Sequence, residues 1–390
     1  MSHYKPYLKY KDSGVEWIGE VPEHWAVMQL KRAASICNGQ DYKDIEDANG
    51  AYPVIGSGGE FARASSFIYN GESVLLGRKG TIDKPLYING PFWTVDTMFY
   101  TKIAVDAFPK FVYYSALNIP FGLYSTNTAL PSMTGEALSS HLIAAPKLTE
   151  QEEIANSLDR ETARIDAIIS KKTRFIELLN EKILSMVTHS FEHTETRWIR
   201  LQHVCDVISR PVSQLNGESY TRLGLYNRGR GAFKKTEADN EDMGDSDFFW
   251  VEENDLILSG QFAWEGAVAM ATKEHANCVV SHRFPVIQGR QGESLTEYLF
   301  ALFMTHFGDF ILNDCSRGSA GRNRPLNLNA LLMWKIPVPS IKYQRKIALL
   351  IHLRESIRVK TQRSIDLLKE RRSALITAAV TGQIDLRESA

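Results

Sequence analysis

Residues 143–155 of this 390-residue chain are IAAPKLTEQEEIA, and residues 336–348 are IPVPSIKYQRKIA. Each stretch leads from a short apolar segment through a proline and a glutamine into a long sequence that lacks glycine and proline and contains a Leu-Leu pair. The shift between the copies is 193 residues from Pro146 to Pro339, but 189 residues between the Leu-Leu pairs. The first copy is therefore four residues longer, about one helical turn. A tandem repeat of this size predicts two duplicated domains, each with its own core.

The repeat extends upstream of these stretches. Residues 72–77 and 255–260 share an acid, a short apolar run and a glycine, and residues 95–99 line up with 280–284 at a shift of 185. The sequences between these landmarks differ in the two halves. A common frame with unlike inserts is what we expect if each half does the same job on a different target.

Two long helices are predicted, over residues 149 to about 190 and over residues 341–381. The first begins with a capping box, in which Thr149 and Glu152 satisfy the first free backbone N–H groups. Mostly apolar residues then follow one face of each helix at the spacing of a coiled coil. They are Ile154, Leu158, Ile165, Ile168, Phe175, Leu179, Ile183 and Met186 in the first helix, and Ile347, Leu350, Ile357, Thr361, Ile365, Leu368, Leu375 and Ala379 in the second.

The two helical regions carry opposite charge. Residues 147–192 hold seven Lys/Arg and nine Asp/Glu, a net charge of −2, whereas residues 342–390 hold eleven and five, a net charge of +6. Helices of opposite sign attract each other, and a duplicated chain with a pseudo-two-fold axis places its copies head to tail. We therefore expect an antiparallel coiled coil. The alternative is that each helix packs only on its own domain.

The remaining sequence is typical of mixed α+β domains. Turn signals such as Asn49-Gly50 and Asn89-Gly90 separate short β-rich runs. We predict an α+β chain in which two tandem domains alternate with the two long helices. The predicted parts are residues 1–147 for the first domain with its N-terminal segment 1–24, 148–192 for the first helical region, 193–340 for the second domain, and 341–390 for the second helical region.

Composition limits the class of protein. The chain is 44% apolar and 23% charged with a net charge of −1, so it is expected to fold as a globular protein with room for two cores, and any nucleic-acid surface must be local. No apolar run approaches the length of a membrane span and the first residues do not resemble a signal peptide, so we expect a cytoplasmic protein with no membrane partner. The four scattered cysteines and the pair His189 and His193 predict no metal site.

Motifs for catalysis are missing from the sequence. We find no Gly-x4-Gly-Lys-Ser/Thr phosphate loop, no Gly-x-Ser-x-Gly elbow and no His-Glu-x-x-His pair. The string Asn89-Gly90-Pro91-Phe92 lacks the first proline of a base-flipping methyltransferase motif, and Gly56-Ser57-Gly58-Gly59 is better explained as a turn. We therefore expect a binding protein with no catalytic residue and no cofactor of its own.

Candidate DNA contacts lie in the parts where the two halves differ. Glycines let the backbone approach a partner, and arginine forks suit phosphate and guanine. The candidates are Arg78, Lys79, Thr81, Thr126 and Asn127 in the first half, and Arg228, Arg230, Gln261, Arg317, Arg322, Asn323 and Arg324 in the second. The alternative is that these are solvated basic loops. Residues 237–255 hold nine acids and no Lys or Arg, which predicts a solvated loop facing away from any phosphate backbone.

The chain resembles the specificity subunits of type I restriction-modification systems. The resemblance lies in the segment from Trp17 to Trp25, in the block from Pro146 to Ala155, in the terminal Thr381-Gly382-Gln383-Ile384-Asp385, and in their order and repetition along essentially the whole chain. One departure is Lys342-Tyr343-Gln344-Arg345, because the family usually has an acid before the glutamine. That departure concerns one contact at the start of the second helix.

The resemblance implies a division of labour. Two target-recognition domains would each contact one half of a split, asymmetric DNA site, while the two helices pair as an antiparallel coil that spaces them. The coil would dock two methyltransferase subunits, which use S-adenosylmethionine to methylate adenines. Motor-nuclease subunits that use ATP and Mg²⁺ would complete the restriction complex. This chain would carry no catalytic residue.

Physical dimensions agree with this implication. Two domains on one face of B-DNA should lie about 34 Å apart, and a helix of ~35 residues spans about 50 Å. We hypothesise that helix length sets the unread spacer. Two other functions stay open: a self-contained methyltransferase, which would bind S-adenosylmethionine alone, and a helical scaffold, which would show no salt-dependent affinity for DNA.

Overall fold

The structure, a computed structural model, describes residues 4–126, 131–213, 219–239, 246–318 and 324–387, except for the side chain of residue 239. The chain forms two compact units. Unit 1 comprises residues 1–170 and 364–390, and unit 2 comprises residues 171–363. Each long helix therefore contributes to both units. The predicted domain boundaries at 147, 192 and 340 lie at the ends of the long helices, whereas the two units divide within these helices. The predicted boundaries therefore stay a prediction.

Unit 1 contains a mixed sheet and three short helices, and it holds the first part of a long helix. Its strands are β1 Tyr10–Asp12, β2 Glu20–Pro22, β3 Ala26–Gln29, β4 Ala34–Asn38, β5 Tyr52–Gly56, β6 Gly59–Ala64, β7 Tyr69–Gly77, β8 Leu86–Thr94, β9 Met98–Ile103 and β10 Leu142–Ala145. Its helices are α1 Leu30–Ala33, α2 Pro109–Leu117, α3 Gly135–Ser139 and α4 Leu148–Ser190, the last continuing into unit 2.

The main sheet of unit 1 has six strands in the order β4-β9-β7-β8-β5-β6. Strand β7 lies inside it and pairs antiparallel with both β8 and β9. Its residues Val74, Leu75 and Leu76 are all buried, which is expected of a strand that is covered on both faces. The short apolar run in the sequence thus positions the glycine that ends β7 at the edge of the core.

Unit 2 is built from shorter strands. They are β11 Arg197–Arg200, β12 Cys205–Ile208, β13 Ser219–Tyr220, β14 Leu223–Leu225, β15 Ala232–Lys234, β16 Ala238–Asp239, β17 Phe248–Trp250, β18 Leu256–Leu258, β19 Val268–Met270, β20 Val279–Ser281, β21 Val286–Gly289 and β22 Lys335–Val338. Its helices are α5 Thr296–Phe303, α6 His306–Asp314, α7 Leu328–Met333 and α8 Ile341–Val380, the last continuing into unit 1. Strands β12, β21, β18 and β19 form a four-stranded sheet in that order.

The acidic stretch 237–255 is only partly as predicted. Residues 240–245 lie outside the described residues, but the end of the stretch forms β17 and then turns into the core. Asp255 is fully buried, where it accepts hydrogen bonds from Arg210 Nη1 at 2.8 Å and Gln288 Nε2 at 2.7 Å. The prediction of a solvated loop is wrong here because a buried carboxylate with such partners is stable.

A buried glutamine fastens each long helix to its own unit. In unit 1, Gln151 Nε2 donates to the carbonyl of Pro146 at 2.9 Å, and its Oε1 accepts from the backbone N–H of Phe108 at 2.9 Å. In unit 2, Gln344 makes the matching pair, with the carbonyl of Pro339 at 2.8 Å and the N–H of Leu295 at 2.8 Å. Phe108 and Leu295 are the residues before α2 and α5. The spacing from proline to glutamine is the same in both copies, and in both the glutamine makes the same two hydrogen bonds.

The segments that carry the family resemblance meet in unit 1. Glu150 accepts hydrogen bonds from Trp25 Nε1 at 3.1 Å and pairs with His24 at 2.9 Å, and Arg387 approaches it at 3.5 Å. Gly382 has φ +74°, and a Cβ there would lie 2.3 Å from Pro22 Cδ. In unit 2, Tyr343 takes the place of Glu150 in the repeat and donates to the carbonyl of Met186 at 3.0 Å. Where unit 1 has Glu150 bonded to Trp25 and His24, unit 2 thus has Tyr343, whose hydrogen bond joins the two long helices.

Helices α4 and α8 run antiparallel within each unit. In unit 1, Arg372 of α8 forms an ion pair with Asp166 of α4 at 3.1 Å. In unit 2, Arg354 of α8 donates to Asn180 of α4 at 3.1 Å. Early residues of one helix thus face late residues of the other, which confirms the predicted antiparallel pairing.

The predicted apolar seam is correct for α8 but partly wrong for α4. In α8, Ile347, Ile365, Leu375 and Ala379 are buried. In α4, Ile168 and Phe175 are instead 37% and 49% exposed, and their neighbours Ile169 and Ile176 are half-buried in their place. Each of these positions is an apolar doublet, and the partner helix rather than composition decides which member turns inward.

Candidate nucleic-acid interface

The loop after β7 in unit 1 is held by backbone hydrogen bonds from two sides. The N–H groups of Arg78 and Lys79 both donate to the carbonyl of Thr97, at 2.8 and 3.1 Å, in the turn before β9. On the other side, the N–H of Met133 donates to the carbonyl of Arg78 at 2.9 Å. Gly77 is required, because a Cβ there would lie 2.4 Å from the Thr81 carbonyl oxygen. The loop is therefore clamped rather than free.

The side chains of this loop differ in freedom. Lys79 and Thr81 are exposed, whereas Arg78 is half-buried, donates to the Asp96 carbonyl at 3.2 Å and lies 5.9 Å from the centre of the Phe99 ring. Thr126 joins them through Ser132, since its N–H donates to the Ser132 carbonyl at 3.0 Å. The structure thus brings Arg78, Lys79, Thr81 and Thr126 together. Asn127 lies outside the described residues.

A buried histidine anchors the chain that leads to Thr126. His141 Nδ1 lies 2.7 Å from the hydroxyl of Tyr124, and the ring of Trp17 stacks on the imidazole at 5.7 Å between centroids. Burial lowers the pKa of His141 to about 4. The neutral imidazole can accept a hydrogen bond from the Tyr124 hydroxyl at Nδ1, which holds the segment before Thr126 against the core.

The loop after β18 in unit 2 has the same backbone clamp. The N–H of Gly260 donates to the carbonyl of Arg283 at 2.7 Å, and the N–H of Leu326 donates to the carbonyl of Gly260 at 2.8 Å. A Cβ on Gly260 would lie 2.3 Å from the Arg283 carbonyl oxygen. The residue held between the turn before the next strand and a returning segment is Arg78, directly after Gly77, in unit 1, and Gly260, two residues after β18, in unit 2.

Trp264 links two of the predicted residues in unit 2. Its Nε1 donates to the carbonyl of Gln261 at 3.1 Å, and the guanidinium of Arg324 lies 5.1 Å from the centre of its ring. Arginine stacked on tryptophan gains attraction from the ring quadrupole and keeps its N–H edge free. Gln261 and Arg324 are thereby held beside each other, with Gln261 exposed and Arg324 half-buried.

The predicted basic turn of unit 2 lies against the same loop. Arg228 has φ +56° and Gly229 has φ +58°, both in the left-handed region. Their N–H groups donate to the carbonyls of Glu265 at 3.0 Å and Gly266 at 2.8 Å. A non-glycine residue in this region is strained and persists only where its surroundings hold it. The guanidinium of Arg230 lies 5.4 Å from the centre of the Tyr226 ring.

The arginine-rich loop of the sequence is only partly described. Arg317 forms an ion pair with Asp314 at the end of α6, and Arg324 stacks on Trp264 of the clamped loop. Arg322 and Asn323 lie outside the described residues. Sequence reasoning missed Trp264 and Arg283 as members of the site. Arg283 had a usable signal, because it lies in the segment 280–284 that repeats 95–99.

In the described ranges, no helix is both long and apolar enough to cross a membrane. Likewise, within the part of the chain that the structure describes, no three His, Cys, Asp or Glu side chains converge where they could hold a metal ion.

Comparisons with known proteins give one family match and several similar folds. Residues 22–178 match the family model described as type I restriction modification DNA specificity domain. The type I restriction-modification system S subunit from M. genitalium is 14% identical with a TM-score of 0.51, over 91% of this chain and 96% of that one. A chain from a structure of complex assembly and conformational transition of the type I R-M system is 15% identical with a TM-score of 0.59, over 93% and 99%. No curated protein matches this chain.

Proposed function

We propose that this chain is a DNA specificity subunit of a type I restriction-modification system and that each of its units reads one half of a split DNA site; the family match over residues 22–178 and the similar folds support this. The observation that carries the proposal is the clamp found in both units. In each, backbone hydrogen bonds from a turn and from a returning segment hold the loop that follows a buried strand, at Arg78 beside Gly77 in unit 1 and at Gly260 in unit 2. Rigid backbone beneath polar side chains is what base reading requires.

The clamped loops present different chemistry, which supports different half-sites. Unit 1 offers Arg78 and Lys79, cations that suit guanine edges and phosphate. Unit 2 offers Gln261, whose amide can pair with adenine, beside Arg324, whose fork suits guanine. Exposed cations at the rim, such as Arg230, would contribute phosphate contacts and with them affinity and salt dependence.

The exposed apolar side chains of α8 support its docking to partner subunits. Leu349, Leu353, Val359 and Leu367 are 70%, 49%, 53% and 57% exposed, and clusters of exposed apolar residues mark interaction surfaces. We propose that the helices bind two methyltransferase subunits, which carry S-adenosylmethionine and methylate adenines. Motor-nuclease subunits would bring ATP and Mg²⁺. In this arrangement this chain contributes recognition and carries no catalytic residue.

Methylation mapping of the source genome tests the proposal. With the gene intact, a split motif should carry methylated adenines on opposite strands, and deletion of the gene should abolish that methylation. Gln261→Ala should then relax one half of the motif and leave the other half unchanged. Methylation that is the same with and without the gene would refute the proposed role. A chain that binds S-adenosylmethionine alone would favour a self-contained methyltransferase instead.

A further inference from the structure

A cleft of about 910 Å³ lies within unit 2, beside the basic turn that packs against the loop after β18. One wall is α8 from Ile351 to Lys360, and the opposite wall is formed by the basic turn 226–232 and residues 270–275. Its apolar lining includes Ile183, Met270 and Phe300. The volume falls in the range of small-molecule sites, about 300–1,000 Å³.

Positive charge dominates the lining of this cleft. Six Lys or Arg side chains face three glutamates, for a net charge of +3. The cations come from three separate elements, namely the basic turn, the segment after β19, and α8. Such convergence around an apolar lining favours an anion rather than a neutral or cationic ligand.

Arg354 is the cation that lacks a full set of partners. Its side chain is only 16% exposed and its guanidinium lies 5.7 Å from the centre of the Phe300 ring. It donates to Asn180 Oδ1 at 3.1 Å, but its Nε is buried without a hydrogen-bond partner among the described residues. Burial lowers the pKa of Arg354, which records the cost of desolvating this charge.

The nearest carboxylate does not fill that role. Glu355 lies 3.7 Å from Arg354 Nη2, and both of its oxygens accept from Arg358, at 2.6 Å from Nη2 and 3.0 Å from Nε. A guanidinium fork normally binds a carboxylate or phosphate in this two-bonded manner. Arg358 therefore binds both oxygens of Glu355, while Arg354 keeps only the longer ion pair at 3.7 Å.

We propose that this cleft binds a small organic anion, whose carboxylate, phosphate or sulfonate pairs with Arg354 and whose aromatic or aliphatic body lies on the apolar lining beside Phe300. Arg228 and Arg230 on its rim link it to the basic turn of the recognition surface, so an occupied cleft would also order that turn.

Binding of a fluorescent aromatic sulfonate to the full chain tests the proposal. The probe is 1-anilinonaphthalene-8-sulfonate, and its uncharged analogue N-phenyl-1-naphthylamine serves as the reference for apolar binding. Arg354→Met keeps the side-chain volume but removes the charge. It should weaken sulfonate binding at least tenfold, the size expected for one charge-assisted bond, and change binding of the uncharged analogue less than twofold.

Three further variants make the test decisive. Arg354→Lys keeps the charge and should retain most sulfonate binding, which separates loss of charge from misfolding. Ser356→Trp, at an exposed position lining the cleft, should weaken both probes by blocking it. Arg363→Met removes an exposed arginine of the same helix outside the cleft and should change neither. Equal effects of Arg354→Met and Arg363→Met on sulfonate binding, or equal loss of both probes in Arg354→Met, would overturn the proposal.

Discussion

Acid should destabilise unit 1 through a single histidine. The pKa of His141 is lowered by burial to about 4 from an ordinary value of 6.5. Between these values the unfolded chain binds a proton that the folded chain does not, so stability is complete above pH 6.5 and is lost as the pH falls. At about 1.4 kcal/mol per pH unit, the loss between pH 7 and pH 4 is about 3 kcal/mol.

The assay is urea unfolding at pH 7 and pH 4, followed by hydrogen exchange in peptides of unit 1. Other groups also titrate in this range, so the measured quantity is the difference between the wild type and His141→Gln, which keeps an acceptor for Tyr124 but does not titrate. The wild type should lose about 3 kcal/mol more than the variant. His203→Gln, at an exposed histidine of unit 2, is the matched control. Equal acid sensitivity of the wild type and His141→Gln would refute the reasoning.

Asp255→Ala should destabilise unit 2 by about 3 kcal/mol, because it removes the buried carboxylate that accepts from Arg210, Gln288 and the N–H of Glu252 and leaves Arg210 paired only with the exposed Glu252; urea unfolding of that unit measures this. Gln344→Met leaves the N–H of Leu295 and a proline carbonyl without partners, so a loss of about 2–4 kcal/mol and faster exchange of the Leu295 amide are expected. Arg324→Ala should relax one half-site in methylation mapping, whereas Arg317→Ala should not, since its guanidinium is paired within the chain; a uniform loss across sequences would instead indicate a phosphate contact. Insertion of four residues in α4 should change the unread spacer and keep both half-sites, and an unchanged spacer would contradict a role for helix length.

The long helices and the α+β character followed from local sequence. Their positions are set by uninterrupted helix-forming residues and by a glycine at 382, both of which act within a few residues. The predicted capping box is wrong, because the helix begins at Leu148 and Thr149 lies inside it. The helices span Leu148–Ser190 and Ile341–Val380, within a residue of prediction at each end. Local signals of this kind survive folding because tertiary packing agrees with them.

The errors come from contacts between distant residues. At Ile168-Ile169 and Phe175-Ile176, either member of each pair satisfies a helical period, and the partner helix decides which one is buried. Asp255 looked solvated because its neighbours are acidic, yet its partners Arg210 and Gln288 lie 45 and 33 residues away.

The clamped loops were predicted as candidate sites because both follow matched strands. Their supports were not predictable in the same way. Trp264 touches Arg324 across 60 residues of sequence, and Ser132 reaches Thr126 only because the chain returns along the loop after β7. Spacing in the sequence locates a loop, whereas the side chains that hold it depend on the finished fold.

Unit 1 is built from two segments that are far apart in the chain, and this affects the order in which the units fold during synthesis on the ribosome. Its core joins Trp25 and Ile154 with Leu375, Ala379 and other residues near the end of the chain. Domains usually fold as they emerge, the N-terminal one first. Here the first unit to be translated cannot complete its core until the last helix has left the exit tunnel, whereas unit 2 is one continuous segment. The nascent chain should therefore finish its second unit first and expose the apolar surface around Trp25 throughout elongation.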